Sequence, residues 1–94
     1  MTGLAAPDGD RLRLPPQVRD FTRAIEAWPD APVNYLLRGE EWLAAGRSGD
    51  AKADFEAARA LAERAAPDSA WGYVFQAYID RADAGLRQCG STLD

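Results

Sequence analysis

Residues 32–63 constrain this chain more than any other stretch. They read Tyr35-x-x-Arg38-Gly39-x-x-Trp42, then Gly46, then Ala51-x-x-x-Phe55-x-x-Ala58. Apolar and small residues recur at intervals of three and four, which lines up one face of a helix in each half. A short Gly/Ser turn joins the halves, so the stretch is one helix-turn-helix unit.

The flanking sequence extends the same pattern. Val18, Phe21, Ala24, Ile25 and Trp28 form a helical stripe that follows Pro15-Pro16 and is ended by Pro29. Proline is tolerated in the first turn of a helix but not in its interior, so this first helix starts at Pro16 or Gln17. Asp30-Ala31-Pro32 then offers a cap and a first-turn proline to a second helix, whose apolar positions are Val33, Leu36, Leu37, Trp42 and Leu43. Gly46 suits the left-handed stop of that helix, and Ser48 can cap the third, which carries Ala51, Phe55, Ala58, Leu61 and Ala62 and runs to about Ala65. Residues 66–69 break it. A fourth helix follows with Trp71, Val74, Phe75, Tyr78 and Ile79 in its stripe, and Gly90 is the expected stop in preference to Gly85. Upstream, Gly3, Pro7, Gly9 and the acids Asp8 and Asp10 interrupt any periodicity, although Arg11-Leu12-Arg13-Leu14 alternates for four residues as a short extended piece would. The expected organisation is a flexible arm over 1–15, an all-α helical domain over 16–90 and a tail over 91–94.

The helices repeat. Asp20-Phe21-Thr22-Arg23-Ala24 aligns with Asp54-Phe55-Glu56-Ala57-Ala58 at an offset of 34 residues, and Tyr35 and Trp42 align with Trp71 and Tyr78 at 36. A helix-pair repeat of this length is the signature of a stacked array. With Tyr35, Arg38-Gly39, Trp42, Ala51 and Phe55 at the expected spacings and Gly46 at the turn, the chain resembles the tetratricopeptide repeat family over residues 17–88, as one full repeat flanked by two half-repeats. Arg38 stands where that pattern has Leu, and Glu63 where it has Pro. The resemblance implies an α-α superhelix of about four antiparallel helices whose concave surface is lined by the second and fourth, here Val33, Leu36, Glu40, Leu43 and Ala44 with Gly72, Gln76, Ile79 and Asp80. The family's clamp for a C-terminal carboxylate uses Lys and Asn, whereas Leu36, Glu40 and Tyr73 stand at the matching positions. Chaperone-tail binding is therefore not expected.

The array is also incomplete at both ends. Val18 and Trp28 on the first helix, and Val74 and Tyr78 on the fourth, are expected to need covering by a partner, another copy or the arm. Tyr35, Trp42, Phe55 and Trp71 are expected to pack internally, while Tyr73, Phe75 and Tyr78 on the terminal helix suit an interface, where rigid rings bury much area at little entropic cost.

Composition narrows the function classes. A net charge of −4, with ten arginines scattered among fifteen acids, is the wrong balance for a phosphate backbone. Hydrophobic content of 47% broken up by 28% charged residues suits a folded domain rather than a membrane span. The chain has no histidine, the commonest general base and metal ligand. Glu40-Glu41 and Asp80-x-x-Asp83 are solvated helix faces rather than carboxylate pairs, because adjacent helical residues point about 100° apart. Asp80 with Arg87, and Glu56 with Arg59, are expected surface pairs, and Cys89 an incidental thiol near a fraying end. Gly46-x-x-Gly49 lacks the lysine of a phosphate loop. No apolar run marks residues 1–10 as a signal peptide, so a cytoplasmic location is expected. These readings converge on a module without catalysis, cofactor or metal, which binds a protein partner as an adaptor or accessory subunit of a larger complex through Val33, Leu36, Glu40, Leu43, Tyr73, Phe75, Gln76, Tyr78 and Ile79. The alternative is self-assembly into a structural homo-oligomer through the incomplete terminal helices.

Overall fold

Prolines and one glycine set the helix boundaries. In the computed structural model, which describes residues 15–68 and 70–93, Pro15-Pro16 opens α1 (Pro16–Ala27) and Pro32 opens α2 (Pro32–Ala44). The third helix, α3 (Ser48–Ala65), passes into a 3₁₀ turn (Ala66–Asp68) that contains Pro67, and α4 (Gly72–Leu93) completes an all-α fold. No strand occurs among the described residues. The alternating piece at 11–14 and the rest of the arm lie outside them.

The turn between α2 and α3 shows how one glycine reverses the chain. Gly46 has φ +79°, the left-handed region that a side chain disfavours. Its N–H donates to the Leu43 carbonyl (3.0 Å) and the Arg47 N–H to the Trp42 carbonyl (2.8 Å), the paired bonds of a Schellman stop. The Arg47 guanidinium then lies 4.8 Å from the centroid of the Trp42 ring, covering the end of the helix.

Two expected caps are absent. Ala31, not Asp30, is the N-cap of α2 and makes no side-chain bond; Pro32 sets the first-turn φ without one. Ser48 is already inside α3, because Arg47 follows the stop directly and its carbonyl accepts the Ala51 N–H at 3.0 Å. Nor do Gly85 and Gly90 end α4, which continues to Leu93 and so takes in most of the expected tail.

Gly85 has a packing role instead. Phe55 of α3 is fully buried, and its ring is held between Gly39 of α2 and Gly85 of α4. A Cβ at Gly39 would stand 2.9 Å from Phe55 Cε1, and one at Gly85 would stand 2.7 Å from the same atom and nearer still to Cε2 and Cζ. Both helices approach the ring as closely as backbone allows. Burying such a side chain contributes about 1.5–3 kcal/mol. Leu36, Ala51, Ala58, Ala82 and Cys89 fill in around it, with Tyr35 and Tyr78 packed at the margins. Helix α3 packs on both α2 and α4, whereas α1 packs on α2 alone among the described helices.

Candidate binding surface

Before any surface can bind, the helices that form it must be held in register, and a polar clasp does this across α1, α2 and α3. Arg38 Nε donates to Asp54 Oδ2 and Nη2 to Oδ1, both at 2.7 Å, which makes a bidentate pair. Its Nη1 donates to Thr22 Oγ1 at 3.1 Å, and the Thr22 hydroxyl donates to the Val18 carbonyl at 2.8 Å. The Asp54 side chain is 7% exposed and that of Arg38 20%. Hydrogen bonding to the carboxylate pushes the Arg38 guanidinium above its already high ordinary pKa, against the opposing effect of burial. Arg38, the departure from the repeat pattern, is thus explained by Asp54, sixteen residues on.

A groove of about 370 Å³ opens between α2 and α4. Glu40, Leu43 and Ala44 form one wall, Arg81, Ala84, Gly85 and Gln88 the other, and Phe55 lies beneath the floor. Arg81 Nη2 donates to Glu40 Oε1 at 2.8 Å and bridges the walls. Both side chains are about half exposed, so the pair is worth about 0–1 kcal/mol and does not close the groove.

The second feature is aromatic. Trp71, just before α4, and Tyr73 in its first turn are 62% and 70% exposed, with ring centroids 6.2 Å apart. One turn on, Phe75 and Tyr78 meet edge to face at 6.1 Å and are half-buried. Trp28, after α1, is 66% exposed. Helices α1 and α3 end where α2 and α4 begin, so the topology brings these aromatics to one end of the fold.

These placements sort the expected binding residues. Glu40 and Leu43 line the groove, Tyr73 and Gln76 are exposed, and Val33, Phe75 and Tyr78 are half-buried. Leu36 and Ile79 are corrections: at 0% and 8% exposure they belong to the core and offer no surface. The wall of the groove on α4 also lies about two turns later than Gly72, Gln76, Ile79 and Asp80, and Trp71, which aligns with Tyr35 in sequence, lies before the helix begins. Trp71 is therefore a further correction, exposed where internal packing was expected. Val18 is packed inside at 1% exposure and needs no cover, in contrast to Trp28. Arg59 pairs with Asp83 (2.8 Å) and Glu63 (3.5 Å), and Asp80 accepts from the Gln76 amide at 3.1 Å. Cys89 is a core residue at 1% exposure, and burial pushes its thiol pKa up.

Arg81, Ala84, Gly85 and Gln88 were not foreseen as groove residues. Their signal was the small pair Ala84-Gly85 one helical turn beyond Arg81, which leaves space beside a neighbouring helix. Among the described residues no three acidic or cysteine side chains gather as a metal site, and no helix is long and apolar enough to cross a membrane. Comparison of the chain with protein-family models, curated proteins and solved structures found no match.

Proposed function

We propose that this chain is a non-catalytic protein-binding module, a tetratricopeptide-like adaptor or accessory subunit, and that its partner docks on the aromatic start of α4. The observation that carries the reading is the pair of large rings left in water there, Trp71 and Tyr73 at 62% and 70% exposure. Water gains nothing from such surface, and a protein partner gains a rigid, preordered anchor. The Tyr73 hydroxyl adds a polar handle that a hydrogen-bonding group on the partner can use. Tyr78 packs against the core and meets Phe75 edge to face, so Tyr73 stands in the first turn of an anchored helix, with Trp71 in the turn just before it. The test is capture of interacting proteins by the wild-type chain and by W71A/Y73A with matched circular dichroism. Loss of specific interactors in the double variant supports the reading. An unchanged set of interactors overturns it.

Self-assembly is the second reading, and Trp28 favours it. With exposed tryptophans next to both edge helices, Trp28 just after α1 and Trp71 just before α4, the α4 edge of one copy can cover the α1 edge of the next. Sedimentation across a concentration series separates the two readings. A mass that rises with concentration and falls back in Trp28→Ala supports assembly, whereas a monomer throughout leaves the partner reading.

A further inference from the structure

We propose that two copies of this chain pair through α4, antiparallel about a two-fold axis between Asp80 and Arg81, with Tyr73 of each copy seated in the α2–α4 groove of the other. This goes beyond both readings above, because the contact runs along α4 and needs neither Trp71 nor Trp28.

The first argument is the spacing along one helix face. Tyr73, Ala77, Asp80, Arg81, Ala84 and Gln88 are separated by four, three, one, three and four residues. At 3.6 residues per turn these intervals keep all six on one side of α4. Five of them are exposed and Ala84 is half-buried, so the face is open to a second molecule. The intervals read the same in both directions. An antiparallel copy related by a two-fold axis therefore sets Tyr73 opposite Gln88, Ala77 opposite Ala84 and Asp80 opposite Arg81, and each match occurs twice.

The second argument is the chemistry of those matches. Alanine against alanine lets two helices approach closely. Asp80 against Arg81 pairs opposite charges at the axis, whereas a parallel copy in register would set each charge against its own kind. Charge thus selects the antiparallel orientation. Arg81 is 47% exposed beside Glu40, and its guanidinium has donors enough to serve a second carboxylate.

The third argument is the fit of the ring. Tyr73 opposite Gln88 arrives at the wall of the groove that Ala84, Gly85 and Gln88 form. The groove measures about 370 Å³, and a cavity of about 150 Å³ already accepts a benzene ring. Leu43, Ala44 and Ala84 offer the ring apolar contact, and Glu40 at the rim can accept from the phenol hydroxyl. A side chain 70% exposed in one copy becomes the anchor of the other. Ring and groove belong to the same helix, so every copy supplies both halves of the contact.

The test is sedimentation equilibrium of the full chain across a concentration series, with circular dichroism to match the folds. The expected result is a monomer–dimer equilibrium that Trp28→Ala leaves unchanged. Asp80→Arg brings two positive charges together at each match and Arg81→Asp two negative ones, so each variant alone should dimerise about tenfold more weakly. An equimolar mixture of the two variants should regain the wild-type affinity, since every match between them is again opposite in charge. A merely structural role for either residue gives no such recovery. A monomer at all concentrations overturns the proposal. So does a dimer that both single variants leave intact, or an open-ended series of masses that Trp28→Ala abolishes. Capture of other proteins through Trp71 and Tyr73 is read in its own assay, so failure here is distinct from failure of the partner reading.

Discussion

Adding one methyl group at Gly85 sets two known effects against each other. In a helix interior Gly→Ala normally stabilises by about 1 kcal/mol, because alanine restricts the unfolded chain and suits the helix. At Gly85 the new Cβ would stand 2.7 Å from Phe55 Cε1 and closer to two further ring atoms. The ring is confined on the α2 side as well, where only the lack of a side chain at Gly39 makes room for it: a Cβ there would stand 2.9 Å from the same Cε1. Overpacking of this kind costs about 1–3 kcal/mol, and a rigid ring approached closely by both helices belongs in the upper half of that range. The net expectation for Gly85→Ala is a loss of about 1–2 kcal/mol. For a domain of this size each kcal/mol moves the melting temperature by roughly 4–8 °C. Gly90 is the matched control, in the same helix with nothing within 4 Å of the place its methyl group would take. Gly90→Ala should therefore be neutral or stabilising, by up to about 1 kcal/mol. Urea and thermal unfolding followed by far-ultraviolet circular dichroism measure both, and Phe55→Leu in the Gly85→Ala background should recover part of the loss. The reasoning is refuted if Gly85→Ala is as stabilising as Gly90→Ala.

Two further predictions concern buried polar groups. Asp54→Ala leaves the partly buried Arg38 guanidinium without its carboxylate and should cost about 3 kcal/mol, in the range for breaking a buried pair; adding Arg38→Leu should restore more than half in urea titrations, and no recovery would remove the clasp from the account. Cys89 should resist thiol reagents in the native state. Because its folded pKa is raised, the stabilisation linked to the protonated thiol is fully present below the ordinary thiol value and is lost as pH rises through the folded value. Wild type should therefore lose stability above about pH 8.5 more steeply than Cys89→Ala, and parallel profiles would contradict this.

Helix boundaries were the most legible part of the chain, because proline and glycine act locally. Pro16, Pro32 and Gly46 lie where backbone geometry alone demands them. The 34-residue offset also identified Phe55 as central, although its counterpart Phe21 is only half-buried at the edge. Faces were harder. Trp71 has the side chain of a core residue but precedes α4, and of the expected stripe only Ile79 is buried, the packed face continuing through Ala82, Gly85 and Cys89, two of which hardly register as hydrophobic. Gly85 reads locally as a helix stop, and only the ring facing it from α3 shows why glycine is required. The Arg38–Asp54 pair is likewise a long-range fact. Each residue alone looks like surface charge.

The attachment of α1 to a single neighbour makes the fold mechanically unequal. Among the described residues its hold includes the buried Val18 and Ile25, the bond that Arg38 donates to Thr22 and, with the Gln17 amide turned to face the carboxylate, a bond to Glu41. Of these only Val18 belongs to the buried cluster that contains Phe55, whereas α3 packs on both α2 and α4 around the ring and both glycines, so α1 is expected to open before the α2–α3–α4 unit does. Subglobal opening of this sort has its own free energy, below that of complete unfolding, and amides of α1 would exchange with solvent through it first. What such opening would uncover on α2 is a helix-shaped berth that the same helix from another copy would fit. One edge of this fold is thus expected to open first, and the other three helices form the unit to which it would return.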